Sequence, residues 1–368
     1  MLFQKGIILQ QKKDPAFSNG ICEFLNSSKP KEYFTQWEKP EKPDVDSLIE
    51  CTQKAEIVDE SDGTELYKKL ALLKSKKCMY LVVDAIDDEP YISSQMATAF
   101  WLGKDMTDGL NLILEASNIQ KTYIAFYRHL GEIKVKLPDK IYGIEVRYVN
   151  GRYPAERRAK KTLARKGALV IGSGALVHLN RAYNEKRKQT TAFLTVGGNS
   201  VSNPMNLEVS IGMTVEHILE KCGLSVEPGR VVINGTMNGI SIIDTEKTIV
   251  SKSTMSILAF KEKRKVDNFT CIGCGRCTKY CPMGLSPHYI YKFINAGEFE
   301  KLEKFDADTC IGCGVCSYKC PAKLELSDTI FSYAKESRTE KLTAEKAEIK
   351  ENHSTGNNIK NKIKKKIK

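Results

Sequence analysis

The chain has 368 residues, with 57 Lys and Arg against 45 Asp and Glu, 41% hydrophobic residues and 12 cysteines. This length allows two or three domains with apolar cores, and the ordinary composition excludes wholesale disorder and a collagen-like fold. No apolar run reaches the roughly 18 residues of a membrane span, and no secretory signal is recognised, so a cytoplasmic protein without a transmembrane span is expected.

Residues 1–54 are polar and contain several prolines, which predicts an N-terminal extension. The following segment, 55–189, alternates between strand and helix patterns and therefore predicts a parallel α/β domain. The predicted strands are 78–86, 122–127, 143–149 and 168–171. The predicted helices are 93–118, 152–166 and a segment that ends in EKRKQ.

The helix predicted at 152–166 is strongly basic. Its cations are predicted to form a solvated face, and the alternative is a docking patch for an acidic redox partner. They are Arg157, Arg158, Lys160, Lys161, Arg165 and Lys166.

Residues 190–260 have a different texture, with short β-type runs such as AFLTVGG, NLEVSIG and RVVINGT. One helix, at 215–222, interrupts them. This pattern predicts a small α+β domain with a ubiquitin-like β-grasp fold.

Eight of the 12 cysteines lie in two runs, CIGCGRCTKYCP at Cys271–Pro282 and CIGCGVCSYKCP at Cys310–Pro321. Eight of the twelve positions are identical, and the two runs are offset by 39 residues, which indicates an internal duplication. Both have the spacing C-x2-C-x2-C-x3-C-P, which is typical of [4Fe–4S] ligation in bacterial ferredoxins. Residues 261–335 are therefore predicted to form a dicluster domain.

In two-cluster proteins of this type the fourth cysteine of each run ligates the other cluster. The first predicted ligand set is Cys271, Cys274, Cys277 and Cys320, and the second is Cys310, Cys313, Cys316 and Cys281. Glycines between the first three cysteines would let the backbone approach the sulfurs. The fourth cysteine is expected to start a helix that leads away from the site.

Other uses of the cysteines fit less well. Disulfides are typical of oxidising compartments, and structural zinc does not need a doubled four-cysteine run. The remaining four cysteines, Cys22, Cys51, Cys78 and Cys222, are predicted to be small, inert residues.

The net charge of +12 is concentrated near the C-terminus, because residues 352–368 contain six lysines and no acid. Residues 336–368 are predicted to form a solvated lysine-rich tail, with docking to an acidic surface as the alternative. No nucleic-acid motif accompanies the charge, so nucleic acid is not an expected partner.

The order of these domains resembles the RnfC family of ion-pumping ferredoxin:NAD oxidoreductases, which is related to the NADH-binding subunit of complex I, the propanediol-utilisation cobalamin reductase and a proline reductase-associated electron-transfer protein. The resemblance covers about residues 55–335. It is strongest in LVVDAIDDEPYISS, in the segment beginning GALVIGSG and in the cysteine runs. It implies an α/β domain that binds FMN and NADH, followed by an SLBB-type β-grasp domain and a dicluster module.

The sequence departs from that family where the flavin should bind. The family's glycine-rich loop aligns with IVDESDGTELYKK, and its glycines fall on Asp59, Ser61 and Asp62. Each acid would oppose a phosphate by about 1–4 kcal/mol at roughly 4 Å. The family's Tyr-Pro-x-Gly-x-Glu element is changed after Pro154, and His178 replaces an asparagine. Only Glu89 and Tyr91 keep their family positions as candidate cofactor-binding residues.

These observations favour a soluble iron–sulfur protein that relays single electrons to or from a reductase, flavoprotein or Rnf-type complex, without hydride chemistry of its own. FMN is a doubtful cofactor on this interpretation. One alternative is an NADH-oxidising flavoprotein with a divergent FMN site, in which flavin would split an electron pair. Another is a scaffold with structural clusters. No catalytic residue is assigned.

Overall fold

The computed structural model describes residues 32–35, 37–75, 78–128, 139–263 and 270–341, together with the backbone of 22–24. The chain divides into two compact units, with the boundary between Arg264 and Lys265. Most of the charged linker and the lysine-rich segment from residue 342 onwards lie outside the described residues. Within the described ranges, no helix combines the length and the apolar character needed to cross a bilayer.

The strands of the first unit form two main sheets and one short hairpin. In chain order they are β1 (Cys22–Phe24), β2 (Val58–Asp59), β3 (Thr64–Glu65), β4 (Tyr80–Ala85), β5 (Lys121–Tyr127), β6 (Lys140–Ile141), β7 (Ile144–Val149), β8 (Ala168–Gly172), β9 (Thr191–Gly197), β10 (Met205–Ser210), β11 (Arg230–Ile233), β12 (Ile240–Ile242) and β13 (Ser256–Phe260).

The helices of both units are, in chain order, α1 (Val45–Lys54), α2 (Leu66–Ser75), α3 (Ser94–Trp101), α4 (Gly103–Ala116), α5 (Ala155–Arg165), α6 (Ser173–Glu185), α7 (Val215–Lys221), α8 (Arg276–Lys279), α9 (Pro287–Asn295), α10 (Val315–Lys319) and α11 (326–341).

The first sheet confirms the predicted parallel α/β domain. Strands β7, β5, β4 and β8 are parallel in that order, and β6 joins β7 in the antiparallel sense. The central strand β4 is buried from Leu81 to Ala85, as expected for a strand that is covered on both faces. Leu110 and Ile113 of α4 and Leu176 of α6 belong to the core on one face, whereas α5 contributes Ala155 to the core on the other.

The single helix predicted at 93–118 is interrupted. Leu102 leaves the helical region, with φ −104° and ψ 28°, and separates α3 from α4. An apolar periodicity that continues through the break explains why the sequence alone suggested one helix.

The segment predicted as an extension contributes to the core. Helix α1 starts at Asp44, whose side chain accepts a hydrogen bond from the Ser47 backbone N–H in a capping box. Leu48 and Cys51 of this helix are fully buried, and Trp37 packs edge-on against Tyr183 of α6. The end of the polar N-terminal region is therefore part of the α/β core.

The second sheet has the predicted β-grasp topology. Its order is β1, β10, β9, β13, β11 and β12, with β9 and β13 parallel in the centre. Helix α7 packs Val215, Ile218 and Leu219 onto this sheet. The backbone of β1, from the N-terminal segment, pairs in parallel with β10 at the edge.

A buried ion pair connects the α/β region and the β-grasp region of the first unit. Arg181 of α6 donates two hydrogen bonds to the carboxylate of Glu208 on β10, one of them at 3.2 Å between Nη2 and Oε2. Thr191 donates a further bond to Glu208 at 2.7 Å. The α/β and β-grasp regions thus share polar contacts inside one compact unit.

Candidate metal centres

Each cysteine run of the second unit forms a loop that depends on glycine. Gly273, Gly275, Gly312 and Gly314 all have φ between +63° and +73°, a left-handed conformation that strains residues with a Cβ. Gly275 and Gly314 also occupy the N-cap positions of the short helices α8 and α10. The two runs therefore fold in the same way, as their duplicated sequences predict.

The eight cysteines of the runs line two cavities in crossed sets of four. One cavity is lined by Cys271, Cys274, Cys277 and Cys320, and the other is lined by Cys281, Cys310, Cys313 and Cys316. The last cysteine of each run thus lies with the first three of the other run. The structure brings together the same residues that the ferredoxin spacing grouped.

The fourth cysteine of each run does not start a helix, contrary to the expectation. Cys281 comes directly after Tyr280, which is the C-cap of α8, and Cys320 is itself the C-cap of α10. The helices that lead away begin later, at Pro287 and at residue 326.

The two loops differ in exposure. Residues 271–276 are all exposed, whereas residues 312–315 are all buried. Phe331 of α11 covers the second loop so closely that a Cβ on Gly312 would lie 2.6 Å from its ring, but nothing lies within 4 Å of the corresponding position on Gly273. The first cavity is therefore the one that is nearer to solvent.

The surroundings of the second set of thiols disfavour the simultaneous ionisation of all four cysteines. Burial, together with the neighbouring Cys313, Cys310 and Cys281, raises the pKa of Cys316 to about 12. The backbone N–H of Gly312 points at Cys310 Sγ, 3.4 Å away. Metal binding to these cysteines must release protons, since the thiolate is the ligand.

The four thiols of each set surround a space rather than a point. Within the described residues, no group of three or more His, Cys, Asp or Glu side chains is arranged to hold a single ion. Apart from His288 and Tyr291 in the first cavity and Ser327 in the second, the other side chains of the walls are apolar, such as Leu326 and Ile330. This arrangement fits a cluster of iron and sulfide better than a tetrahedral zinc ion.

One polar neighbour of the first cavity was not identified from the sequence. His288 Nδ1 lies 3.3 Å from Thr278 Oγ1 and 3.8 Å from Cys277 Sγ. The position 39 residues later is Ser327, whose backbone N–H donates to Ser317 Oγ at 2.8 Å. Alignment of the two repeats beyond their cysteines would have shown this difference.

The α/β domain has a second polar region at the carboxyl end of its sheet. Here β8 ends at Gly172 and α6 begins at Ser173. The backbone N–H of Gly172 donates to Asp59 Oδ2 at 3.0 Å, and that of Gly174 donates to Glu60 Oε1 at 2.7 Å. Side chains of this chain therefore occupy the amides at the start of α6, where an anion would otherwise be favoured.

These two carboxyl groups have opposite ionisation. Burial tends to raise the pKa of Asp59, but the charge of Lys69, at 2.7 Å, and the hydrogen bonds from Lys69, Gly172 and Ser61 together outweigh burial and lower this pKa below its ordinary value. Burial and, to a smaller extent, the charge of Asp59 raise the pKa of Glu60 to about 8. Part of the surface of Glu60 is exposed, but its side-chain carboxyl group lies against Gly172 and Gly174.

The prediction that Lys160 belongs to the solvated basic face of α5 is wrong. Its Nζ lies 2.5 Å from Asp84 Oδ2 and 2.6 Å from Glu156 Oε1, and only 20% of its side chain is exposed. Burial lowers its pKa, but Asp84 and Glu156 outweigh burial and raise the pKa above its ordinary value. The solvated face is limited to neighbours such as Arg158, Lys161 and Arg165, which are exposed.

Glu89 and Tyr91 contact the β-grasp region. The Glu89 carboxyl accepts hydrogen bonds from the backbone of Met237, at 2.6 Å, and Asn238, and burial raises its pKa to about 7. The Tyr91 ring packs edge-on against Phe260. His178 is a buried structural residue that stacks on Phe193, and burial lowers its pKa to about 3.

The residues at this edge do not fit the phosphate of FMN. The amides that could hold a phosphate already bind Asp59 and Glu60, and a phosphate would have to displace both from buried positions. The structure therefore extends the sequence argument, because Asp59, which replaces a family glycine, and the adjacent Glu60 also occupy the site.

Comparison with known proteins agrees with this architecture. Residues 193–241 match the model of the SLBB domain, and residues 270–324 match that of the 4Fe-4S dicluster domain. The second unit is therefore a two-cluster iron–sulfur module, and the first contains an SLBB-type β-grasp. The combination is similar to the domain order of the RnfC family, as the sequence resemblance implies.

RnfC subunits of ion-translocating oxidoreductases are relatives at the sequence level. That of Rhodobacter capsulatus is 30% identical over 254 residues, which are 63% of this chain and 48% of that protein. The corresponding subunit of the Na(+)-translocating ferredoxin:NAD(+) oxidoreductase complex of Acetobacterium woodii is 29% identical over 278 residues, 70% of this chain and 62% of that protein. The chain spans about half to three fifths of the length of these relatives.

A solved structure shares the fold. A chain of an NAD+-reducing [NiFe]-hydrogenase in the H2-reduced state superposes with a TM-score of 0.50 at 12% identity, over 87% of this chain and 67% of that one. At this identity the likeness concerns the fold alone.

Proposed function

We propose that the protein is an iron–sulfur electron carrier that takes up and releases single electrons through two [4Fe–4S] clusters. The observation that carries this proposal is the grouping of eight duplicated cysteines around two cavities in crossed sets of four. Clusters of this kind supply one-electron chemistry when bound. The protein's own contribution is to hold the thiolates, to aim the Gly312 N–H at a sulfur and to restrict water around the second cavity.

The α/β domain is proposed to be a flavin-free support for the β-grasp and the carrier function. The support for this part is the pair of hydrogen bonds from the Gly172 and Gly174 amides to Asp59 and Glu60. Without flavin, the chain would exchange single electrons with a redox partner and would do no hydride chemistry. Its relatives are subunits of oxidoreductase complexes, so the partner is proposed to be a redox protein or complex of that kind.

Anaerobic purification tests the proposal directly. Iron, acid-labile sulfide and flavin are counted on the same sample, and dithionite-reduced protein is examined by electron paramagnetic resonance. About eight irons and eight sulfides, no flavin and reversible reduction are expected. A colourless protein or one that retains zinc would contradict the carrier function, whereas stoichiometric FMN would contradict only the flavin-free α/β domain.

An NADH-oxidising flavoprotein is the second candidate, and it rests on Glu89 and Tyr91 at their family positions. NADH added to the anaerobic protein would then bleach the cluster absorbance without any partner. Because the Glu89 carboxyl is bound to the backbone of Met237 and Asn238, we expect no bleaching.

A further inference from the structure

The cysteine repeats are free of acidic residues. Neither 270–297 nor 309–324 contains Asp or Glu, yet together they contain five cations: Arg276, Lys279, Lys292, Lys319 and Lys323. Five acids of this unit lie in the connection 298–308, where Glu298 pairs with Lys301, and Asp308 pairs with Lys341, and further acids follow the second repeat from Glu325 onwards. Among the described residues of the unit, the cations of the repeats have no carboxylate partner.

Two of these cations form a patch with exposed aromatic rings. Lys319 Nζ lies 5.1 Å from the centre of the Tyr280 ring and 5.0 Å from that of Tyr318, and Lys279 Nζ lies 5.8 Å from that of Tyr280. The rings of Tyr280 and Tyr318 are 41% and 65% exposed. We refer to Lys279, Tyr280, Tyr318 and Lys319 as the Lys–Tyr patch.

The patch arises from the duplication. Tyr280 and Lys319 occupy equivalent positions 39 residues apart, and so do Lys279 and Tyr318, because the order KY in the first repeat is YK in the second. The short helices α8 and α10 pack together and bring the two pairs into contact. The result is one patch across the junction of the repeats rather than two separate pairs.

This patch lies beside both cavities. Tyr280 precedes Cys281, which lines the second cavity, and Lys319 precedes Cys320, which lines the first. The first cavity is also bordered by the exposed loop 271–276, which carries Ile272 with 70% exposure and Arg276. Cations, exposed aromatic rings and one large apolar side chain therefore surround the more accessible thiol set.

We propose that the Lys–Tyr patch and loop 271–276 form the docking surface for an acidic one-electron carrier protein. This inference rests on the proposed function, since an electron must be available at the clusters. Unpaired cations steer an acidic partner and orient it, while exposed aromatic and apolar side chains provide contact area without a fixed geometry. Docking here places the partner next to the more exposed cavity.

The test uses the full-length holoprotein, reduced anaerobically and freed of excess reductant. It is mixed in a stopped-flow instrument with plastocyanin, an acidic carrier, or with cytochrome c, a basic one. In each reaction the protein loses one electron, and the copper or haem iron gains it. We expect the second-order rate constant with plastocyanin to fall by about tenfold or more between low and moderate salt, and that with cytochrome c to rise.

Because the whole chain has a net charge of +12, variants must locate the effect. The double variant Lys279→Gln, Lys319→Gln should react with plastocyanin at least about threefold more slowly at low salt, and its rate constant should depend less on salt. The matched control is Lys304→Gln with Lys335→Gln, which removes two exposed lysines of the same unit outside the repeats. Iron content and visible absorbance confirm that each variant retains its clusters.

Several outcomes would overturn the docking surface. One is that the control variant loses as much of the rate constant with plastocyanin as the patch variant does. Another is that the patch variant loses less than twofold of this rate constant. The third is a faster reaction with cytochrome c than with plastocyanin at low salt. If the patch variant does not retain its clusters, the salt dependence of the unmodified protein with the two carriers still decides whether an acidic partner is preferred. Reversible reduction of the clusters without any carrier would leave the proposed function intact in each case.

Discussion

Glu60 accepts a hydrogen bond from the backbone N–H of Gly174, with 2.7 Å between Oε1 and the nitrogen. The carboxyl group therefore lies at the start of α6, where a helix favours an anion. Asp59 makes the equivalent bond with Gly172 and is balanced by Lys69. An internal carboxyl pair thus takes the position that a ligand's phosphate could otherwise use.

The stability of the first unit is expected to fall as pH rises from about 6 to about 8.5. Glu60 and Glu156 have pKa values raised to about 8, and Asp87 and Glu89 to about 7, chiefly by burial. Such groups bind protons in the folded protein that the unfolded chain has already lost, so their stabilising contribution is present at low pH and is lost as pH rises through these values. Asp59 has a lowered pKa and does not titrate in this window.

Tryptophan fluorescence can measure this effect, because the only two tryptophans, Trp37 and Trp101, belong to the first unit. The melting temperature should decrease over this range, and Glu60→Gln should weaken the decrease. Each kcal/mol corresponds to a shift of about 2–4 °C for a unit of this size. The control is Glu65→Gln, a nearby carboxylate whose side chain is 46% exposed and pairs with Lys68 at the surface. A melting temperature that is constant or rises with pH would contradict the expected ionisation.

Lys160→Met should strongly destabilise the first unit. The substitution leaves the carboxylates of Asp84 and Glu156 without the cation that lies between them. Removing one partner of a buried pair typically costs about 3–5 kcal/mol. Urea unfolding followed by tryptophan fluorescence measures the loss.

The neighbouring exposed lysine provides the control, since Lys161→Met should change the free energy of unfolding by less than about 0.5 kcal/mol. The visible absorbance of the iron–sulfur module should be the same in both variants. Equal stability of the two variants would show that Lys160 does not neutralise the buried acids.

Serine substitutions should reveal the crossed ligand sets. Cys271→Ser and Cys320→Ser should remove the same electron paramagnetic resonance signal, because both residues line the first cavity. Cys281→Ser and Cys310→Ser should remove the other signal. Each variant should retain about four irons.

The informative pair is Cys281→Ser and Cys320→Ser. If each fourth cysteine served its own run instead, Cys281→Ser would match Cys271→Ser and the crossed arrangement would be wrong. Cys78→Ser, outside the runs, should retain both signals.

Iron release should occur in two phases. After mild oxidation, a ferrous chelator is expected to take about half of the iron quickly from the exposed first loop and the rest slowly from the covered second loop. Phe331→Ala should accelerate only the slow phase, since the Phe331 ring covers Gly312. Phe299→Ala, which removes an exposed ring, is the control. A single phase in the unmodified protein would mean that the two loops protect their iron equally.

Local patterns predicted the parallel sheet, the β-grasp and the grouping of cysteines well, because each depends on a short-range rule of period or spacing. The break at Leu102 escaped detection, since the apolar stripe of α3 and α4 continues across it. The burial of Lys160 escaped detection for another reason. Asp84 comes from a strand more than seventy residues away, and a basic helix alone does not show which of its lysines meets an acid.

The flavin-site departures were visible in the sequence as lost glycines and added acids. Their positions in the structure were not, because the pairing of Asp59 and Glu60 with Gly172 and Gly174 joins segments more than a hundred residues apart. The contacts of Glu89 and Tyr91 with the β-grasp also depend on tertiary packing. Cofactor binding by Glu89 and Tyr91 therefore stays a prediction from family position, whereas their contacts with Met237, Asn238 and Phe260 are visible only in the structure.

The parallel pairing of β1 with β10 has a consequence for the solution behaviour of shortened chains. The residues of β1 cover one edge of the six-stranded sheet with backbone hydrogen bonds. A chain that starts after residue 25 would present the bare edge of β10, and an uncovered edge strand is a template for pairing with a second molecule. Such a chain should self-associate in a concentration-dependent way in light scattering, even though every residue of its two cavities is still present.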